Sequence, residues 1–138
     1  MATSTMPAVG DQLPAFSTRI TRETLVRYAG ASGDFNPIHF SAYHAERLGL
    51  PGVIAHGMLT LATALRAVTD WAEDPARVIN CFTRFTKPVL VPDDDDGAEL
   101  TVTGKITKLV DDIATVQLDV RCGEDKVLGM ATAEVRVG

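Results

Sequence analysis

The stretch GMLTLATALRAVTDW (residues 57–71) carries the strongest structural signal in the chain. Its apolar residues recur every three or four positions, which is the period of an α-helix. An apolar surface this wide predicts a helix of about four turns that is deeply buried in the fold. The residues that form this surface are Met58, Leu61, Ala62, Leu65, Val68 and Trp71, with Leu59 and Ala64 on its flanks.

The residues before this helix predict one extended segment and two shorter helices. Residues 16–20 are typical of a short extended segment. Thr21 is suited to cap a first helix, which we expect to end at the Asn36-Pro37 pair. Ser41 is suited to cap a second, short helix that stops before Pro51.

The residues after the long helix predict a run of strands. Each of four segments alternates or is rich in β-branched residues, and turn residues such as Asp111 and Gly123 lie between the last three. Short turns between consecutive strands imply antiparallel pairing. The sequence therefore predicts an α+β fold, with the long helix against one face of a curved antiparallel sheet. The predicted strands are 77–88, 98–109, 113–121 and 126–137.

Length and composition are those of one ordinary globular domain. The chain has 138 residues, of which 46% are hydrophobic and 22% are charged. Neither an internal repeat nor a linker rich in Pro, Gly or Ser divides it. We expect a flexible N-terminal tail over residues 1–10 and a single domain over residues 11–138.

Charge and hydropathy limit the partners that we expect. A net charge of −5 argues against nucleic acid, because phosphate binding needs a basic surface. No apolar stretch approaches the roughly 20 residues of a membrane helix, and no secretory signal is evident. Cys81 and Cys122 are interpreted as buried thiols in a reducing compartment. These features favour a cytoplasmic protein without a membrane partner.

Two short motifs carry the candidate chemistry: GDFNPIH (residues 33–39) and AHGM (residues 55–58). Asp34 and His39 can form a proton-transfer pair if the backbone between them bends sharply, and Asn36-Pro37 is suited to that bend. Taken alone, the first motif is equally compatible with a tight turn that has a capping Asp and a surface His. The second motif, at the head of the long helix, favours the catalytic interpretation.

Together the two motifs resemble those of the MaoC-like (R)-specific enoyl-thioester hydratases and dehydratases, including the catalytic beta subunits of (3R)-hydroxyacyl-ACP dehydratases. The resemblance implies a hot-dog fold, in which an antiparallel sheet wraps a long helix. It implies reversible dehydration of (3R)-hydroxyacyl thioesters to trans-2-enoyl thioesters, carried on CoA or acyl carrier protein, without a metal or cofactor. It also implies a homodimer, or a heterodimer with another hot-dog subunit.

The resemblance also assigns roles to residues. Asp34 and His39 are the acid–base pair, and which of them handles the C2 proton stays open. The backbone N–H of Gly57 is the expected donor to the thioester carbonyl, as suits a helix N-terminus. Asn36, His56 and Met58 are expected to support the site or to contact substrate. For His56, a buried structural role is favoured over a direct chemical one.

The sequence departs from some members of this family. Short-chain hydratases have a serine about two turns into the long helix, where our alignment places Leu65. Thr63 is then the only hydroxyl expected nearby, so the specificity of those enzymes does not transfer. Because both carriers are negatively charged, we expect a local basic patch at the mouth of the site, from Arg77, Arg84 and Lys87.

A metal site is not expected. The spacing of the three histidines is not that of metal ligands. The acidic run Asp93–Asp96 departs from the calcium-binding loop pattern and is interpreted as a solvated turn.

Two other functions remain alternatives: a non-catalytic acyl-binding subunit of a heterodimer, and a thioesterase of the hot-dog type. An intact acid–base pair argues against the first alternative.

Overall fold

The computed structural model describes residues 5–138. The order of elements is the predicted one, with one early strand, helices, one long helix and then a run of strands. The elements are β1 (Gln12–Ile20), α1 (Arg22–Ser32), a 3-10 helix (Pro37–His39), α2 (Ala42–Arg47), α3 (Gly57–Ala72), a second 3-10 helix (Pro75–Arg77), β2 (Val78–Phe85), β3 (Ala98–Val110), β4 (Ile113–Cys122), β5 (Asp125–Lys126) and β6 (Leu128–Arg136).

All strand pairs of the sheet are antiparallel, as predicted. The strand order is β1-β3-β4-β6-β2, and the short β5 pairs with β4. Strand β1 begins at Gln12, four residues earlier than expected. Because β1 lies at the sheet edge and its register shifts between Leu13 and Phe16, it tolerates Pro14.

Helix α3 packs one face against the sheet. Ala64 and Ala67 on this face are buried in the same hydrophobic core as the inward side chains of β3 and β4. Those side chains, such as Leu100 and Val116, are fully buried. The expectation of deep burial holds for only part of the apolar surface: Leu61 and Val68 are buried, whereas Met58 and Ala62 are exposed. Among residues 5–138, no other element covers that face.

The predicted helix caps are confirmed. Thr21 and Thr24 form a reciprocal capping box at the start of α1, and the Ser41 side chain accepts a hydrogen bond from the backbone of His44. Helix α1 ends earlier than expected, at Gly33 rather than at the Asn36-Pro37 pair. Gly33 adopts φ 74°, a left-handed conformation that ends helices and favours glycine.

The interpretation of both cysteines as buried was wrong for Cys81. Cys81 is exposed because β2 is an edge strand without a layer over its outer face. Cys122 is half-buried, and burial together with nearby Asp125 and Glu99 raises the pKa of its thiol.

Two further regions bear on the sequence predictions. Residues 1–4 of the predicted tail lie outside the described residues, whereas the Gly10 N–H donates to the Ile106 carbonyl oxygen at 2.8 Å.

In the acidic turn, the Asp94 carboxylate accepts hydrogen bonds from the N–H groups of Asp96 and Gly97. Among residues 5–138, no helix has the length and apolar character needed to cross a membrane.

Candidate active site

The loop after α1 brings Asp34 and His39 together through two consecutive side-chain caps. The Asp34 Oδ1 accepts a hydrogen bond from the Asn36 N–H at 3.1 Å. The Asn36 Oδ1 in turn accepts from the Ile38 N–H at 3.2 Å and caps the 3-10 helix that carries His39. As a result, the Asp34 Oδ2 lies 4.0 Å from the His39 Nε2. The two side chains therefore converge, as their spacing in the sequence predicted.

The hydrogen bonds of His39 determine which of its ring nitrogens can act as a base. The ring is 8% exposed, and its Nδ1 lies 2.7 Å from the Ile54 carbonyl oxygen. Because a carbonyl oxygen can only accept, Nδ1 must carry the proton of the neutral ring. The lone pair is then on Nε2, the nitrogen that faces Asp34.

His56 lies directly against this pair. Its ring stacks on His39 with centroids 3.8 Å apart and planes 22° apart, and Tyr28 packs edge-on at 4.7 Å. Its Nε2 donates to the Asp34 carbonyl oxygen at 3.2 Å. Burial lowers the pKa of His56 below its ordinary 6.5; the Asp34 backbone hydrogen bond opposes this shift and nearby His39 adds to it. The predicted buried, backbone-bonded role of His56 matches this geometry.

Helix α3 begins at Gly57 without a side-chain cap. The first hydrogen bond of its ladder joins the Thr60 N–H to the His56 carbonyl at 3.1 Å, so the N–H groups of Gly57 and Met58 have no partner within the helix. A partial positive charge accumulates at such an end. Gly57 also packs tightly, because a Cβ placed there would lie 2.9 Å from the Phe85 ring.

These groups line one cleft of about 590 Å³, a volume typical of small-molecule sites. Five of the six predicted site residues contribute to its wall; the exception is Asn36, which holds the loop behind it. Most of the remaining wall is apolar. The predicted residues in the wall are Asp34, His39, His56, Gly57 and Met58, and the apolar ones include Ile38, Ile54, Phe85, Val89, Val127 and Leu128.

Tyr28, Thr60 and Phe85 are among the cleft-lining residues that the sequence argument missed. Thr60 lies one turn from Gly57, and that spacing could have identified it. The expectation that Thr63 is the only nearby hydroxyl was wrong, since Thr63 bonds to the Leu59 carbonyl instead of lining the cleft.

The predicted basic patch is reduced to one residue. Only Lys87 lines the cleft, and its Nζ pairs with Asp125 at 2.8 Å. Arg77, on the second 3-10 helix, and Arg84, on β2, do not line it. Lys87 is thus the one member of the predicted patch with access to a substrate in the cleft.

The fold brings Asp34, His39 and His56 close enough that one ligand atom of each lies within 4.8 Å of the others. Sequence spacing did not anticipate this cluster. Imidazole lone pairs lie in the plane of the ring, and the two stacked rings are nearly parallel, so their lone pairs do not converge on one ion. The arrangement suits proton transfer better than metal binding.

Comparison with known proteins identifies the family. A family profile described as "MaoC like domain" matches residues 6–122, which is most of the chain. This chain belongs to the MaoC-like domain family. Mycobacterium tuberculosis 3-hydroxyacyl-thioester dehydratase X is 44% identical to this chain over 79 residues. Those residues are 57% of this chain and 27% of the relative.

Solved structures agree with this assignment and with the expected hot-dog fold. A protein described as a MaoC-like dehydratase superposes with a TM-score of 0.90 at 38% identity, covering 95% of this chain and 41% of that one. The R-hydratase PhaJ1 from Pseudomonas aeruginosa superposes with a TM-score of 0.78 at 26% identity, covering 96% and 85%. This chain thus spans less than half the length of dehydratase X and of the MaoC-like dehydratase, but most of the length of PhaJ1.

Proposed function

We propose that the domain catalyses the reversible dehydration of (3R)-hydroxyacyl thioesters to trans-2-enoyl thioesters, with the acyl group carried on CoA or acyl carrier protein. One observation carries the proposal: with its Nδ1 bonded to the Ile54 carbonyl, His39 turns Nε2 toward the Asp34 carboxylate at 4.0 Å, in the cleft where α3 starts without a side-chain cap. A base, a second proton-handling group and a carbonyl-binding end then share one cleft.

In the proposed dehydration, His39 Nε2 removes the proton from C2. Negative charge then develops on the thioester oxygen, which accepts a hydrogen bond from the Gly57 N–H. Asp34 holds the C3 hydroxyl, which departs as water with the proton that left C2. The reaction is balanced without an oxidant, a reductant or a metal. In the reverse direction, Asp34 and His39 together hold the attacking water.

The composition of the cleft supports an acyl substrate. Its wall is mainly apolar around a few polar groups, as expected for a site that holds a hydrocarbon chain and fixes only its reactive end. Lys87 supplies a positive charge for a phosphate of the carrier, although Asp125 shares that charge.

We also propose that the domain works with a second hot-dog subunit, either an identical copy or a related chain. The edge of β2 is open, and apolar side chains beside it are about half exposed, among them Phe82 and Phe85. Met58, which lines the cleft, is exposed as well. A partner laid along β2 would cover these side chains and close the cleft into a tunnel.

The reaction type is tested with the purified chain and crotonyl-CoA. We expect the enoyl absorbance to fall without release of free thiol, and a longer enoyl chain serves as a second substrate. Asp34→Asn should abolish this activity, whereas Asp95→Asn, in the exposed acidic turn, should retain it. Thiol release instead would indicate a thioesterase, and binding without turnover would indicate a non-catalytic subunit; either result contradicts the proposal.

A further inference from the structure

His56 is a buried histidine that the steps above do not use. It is 1% exposed and contacts both members of the proposed acid–base pair in different ways. Its Nε2 donates to the backbone carbonyl of Asp34, and its ring lies face to face with that of His39. No other described side chain both stacks on His39 and bonds to the loop that carries Asp34.

Resting on the proposed function, we infer that His56 is a positioning residue with two tasks. Its N–H holds the Asp34 backbone, and its neutral ring supports His39 while His39 carries the substrate proton. The neighbouring charged or titratable groups are Asp34, His39 and Tyr28. Both tasks depend on His56 keeping one proton throughout the cycle.

The environment of His56 favours the neutral ring. Its Nδ1 is buried and has no hydrogen-bond partner among residues 5–138, so no acceptor binds the second proton of a cation there. Burial lowers the pKa of the ring in the same sense. The charge of the nearby Asp34 carboxylate opposes the effect of burial on the His56 pKa but does not outweigh it. When His39 becomes an imidazolium, a neutral aromatic face at 3.8 Å attracts it, whereas a second cation would repel it.

Two substitutions separate the tasks. His56→Phe keeps an aromatic face against His39 and loses the N–H donor, whereas His56→Gln keeps a donor and loses the ring. Each should lower kcat by about tenfold, the effect of losing one hydrogen bond or one ring contact, with little change in KM. His44→Gln, at an exposed histidine, is the matched control and should behave as wild type.

The pH profile distinguishes positioning from a merely structural role. Protonated His39 loses its aromatic support in His56→Gln, so the acid limb of kcat/KM should move to lower pH. In His56→Phe, the acid limb of the kcat/KM profile should stay at the pH of the wild type. If both variants keep the kcat and the acid limb of wild type, the inference is overturned. An inactive wild type would instead refute the proposed function.

Imidazole ¹⁵N NMR of the wild-type chain tests the inference independently of activity and of variant folding. We expect His56 to be neutral at pH 7, with its proton on Nε2. His44 provides the exposed reference. A His56 ring protonated on both nitrogens at pH 7 would overturn the inference.

Discussion

At the scale of single residues, the proposed chemistry depends on which atoms are already bonded. His39 has one nitrogen engaged by Ile54, so the other is left as a base. Gly57 begins a helix that no side chain caps, so its N–H is left for a substrate oxygen. Neither property follows from the residue type alone; each depends on one neighbouring group.

Gly57 is the residue at which the smallest substitution should matter most. In Gly57→Ala, the added Cβ would lie 2.9 Å from the Phe85 ring, beside the proposed carbonyl-binding N–H. We expect kcat for hydration to fall at least about tenfold, and the free energy of unfolding to fall by about 1 kcal/mol because the half-exposed ring can move. Enzyme assay and denaturant unfolding measure the two effects.

Gly30→Ala is the matched control, since a Cβ at Gly30 in α1 meets no atom within 4 Å. It should retain activity and gain stability, as alanine does in helices. If the double variant Gly57→Ala/Phe85→Ala regains activity, the clash with the Phe85 ring caused the loss of activity. The added methyl group beside the N–H donor then did not cause it. Wild-type activity in Gly57→Ala would contradict the proposed role of its N–H.

At the scale of elements, the loop between α1 and α2 brings Asp34 and His39 of the first motif together. Asn36 caps the 3-10 helix that carries His39, while Thr21 caps α1 far from the chemistry. Asn36→Ala and Thr21→Ala should each cost about 1 kcal/mol of unfolding free energy. Only Asn36→Ala should also lower kcat, because only its cap orients His39. Equal activity in the two variants would remove Asn36 from the support of the site.

Much of this element-scale structure could be predicted from the sequence, because its signals are local. The caps at Thr21 and Ser41, the start of α3 and the spacing of Asp34 and His39 depend on neighbours a few residues away. Phe85 could not be placed in the cleft, because it arrives from β2, which reaches the site only through pairing with β6. The stack of His56 on His39 likewise depends on tertiary packing.

At the scale of the whole molecule, one edge of the sheet is unusually exposed. The alternation in residues 77–88 predicts a strand, and β2 forms there, but most of its residues are exposed on both faces. The missing cover also explains why Cys81 and Met58 are exposed. A second hot-dog subunit is the cover that we propose.

Phe82→Glu tests this proposal. A charge on the open β2 face should weaken association, so that the mass by light scattering falls from dimer to monomer at micromolar concentration. Val26→Glu, at an apolar residue on α1 that is more exposed than Phe82, should leave the mass unchanged. A wild-type chain that is monomeric by itself would point to a different hot-dog chain as partner. A Phe82→Glu variant that remains a stable dimer would contradict an interface along β2.

The most direct test of the central claim compares two histidines of the same chain. His39→Ala removes the proposed base, and His44→Ala removes an exposed histidine whose ring bonds only to Ser41 among the described residues. With crotonyl-CoA as substrate, we predict that His39→Ala loses hydration activity by at least about 10³-fold, a typical general-base contribution, while His44→Ala hydrates at the wild-type rate. Hydration by folded His39→Ala at the rate of His44→Ala would contradict the account.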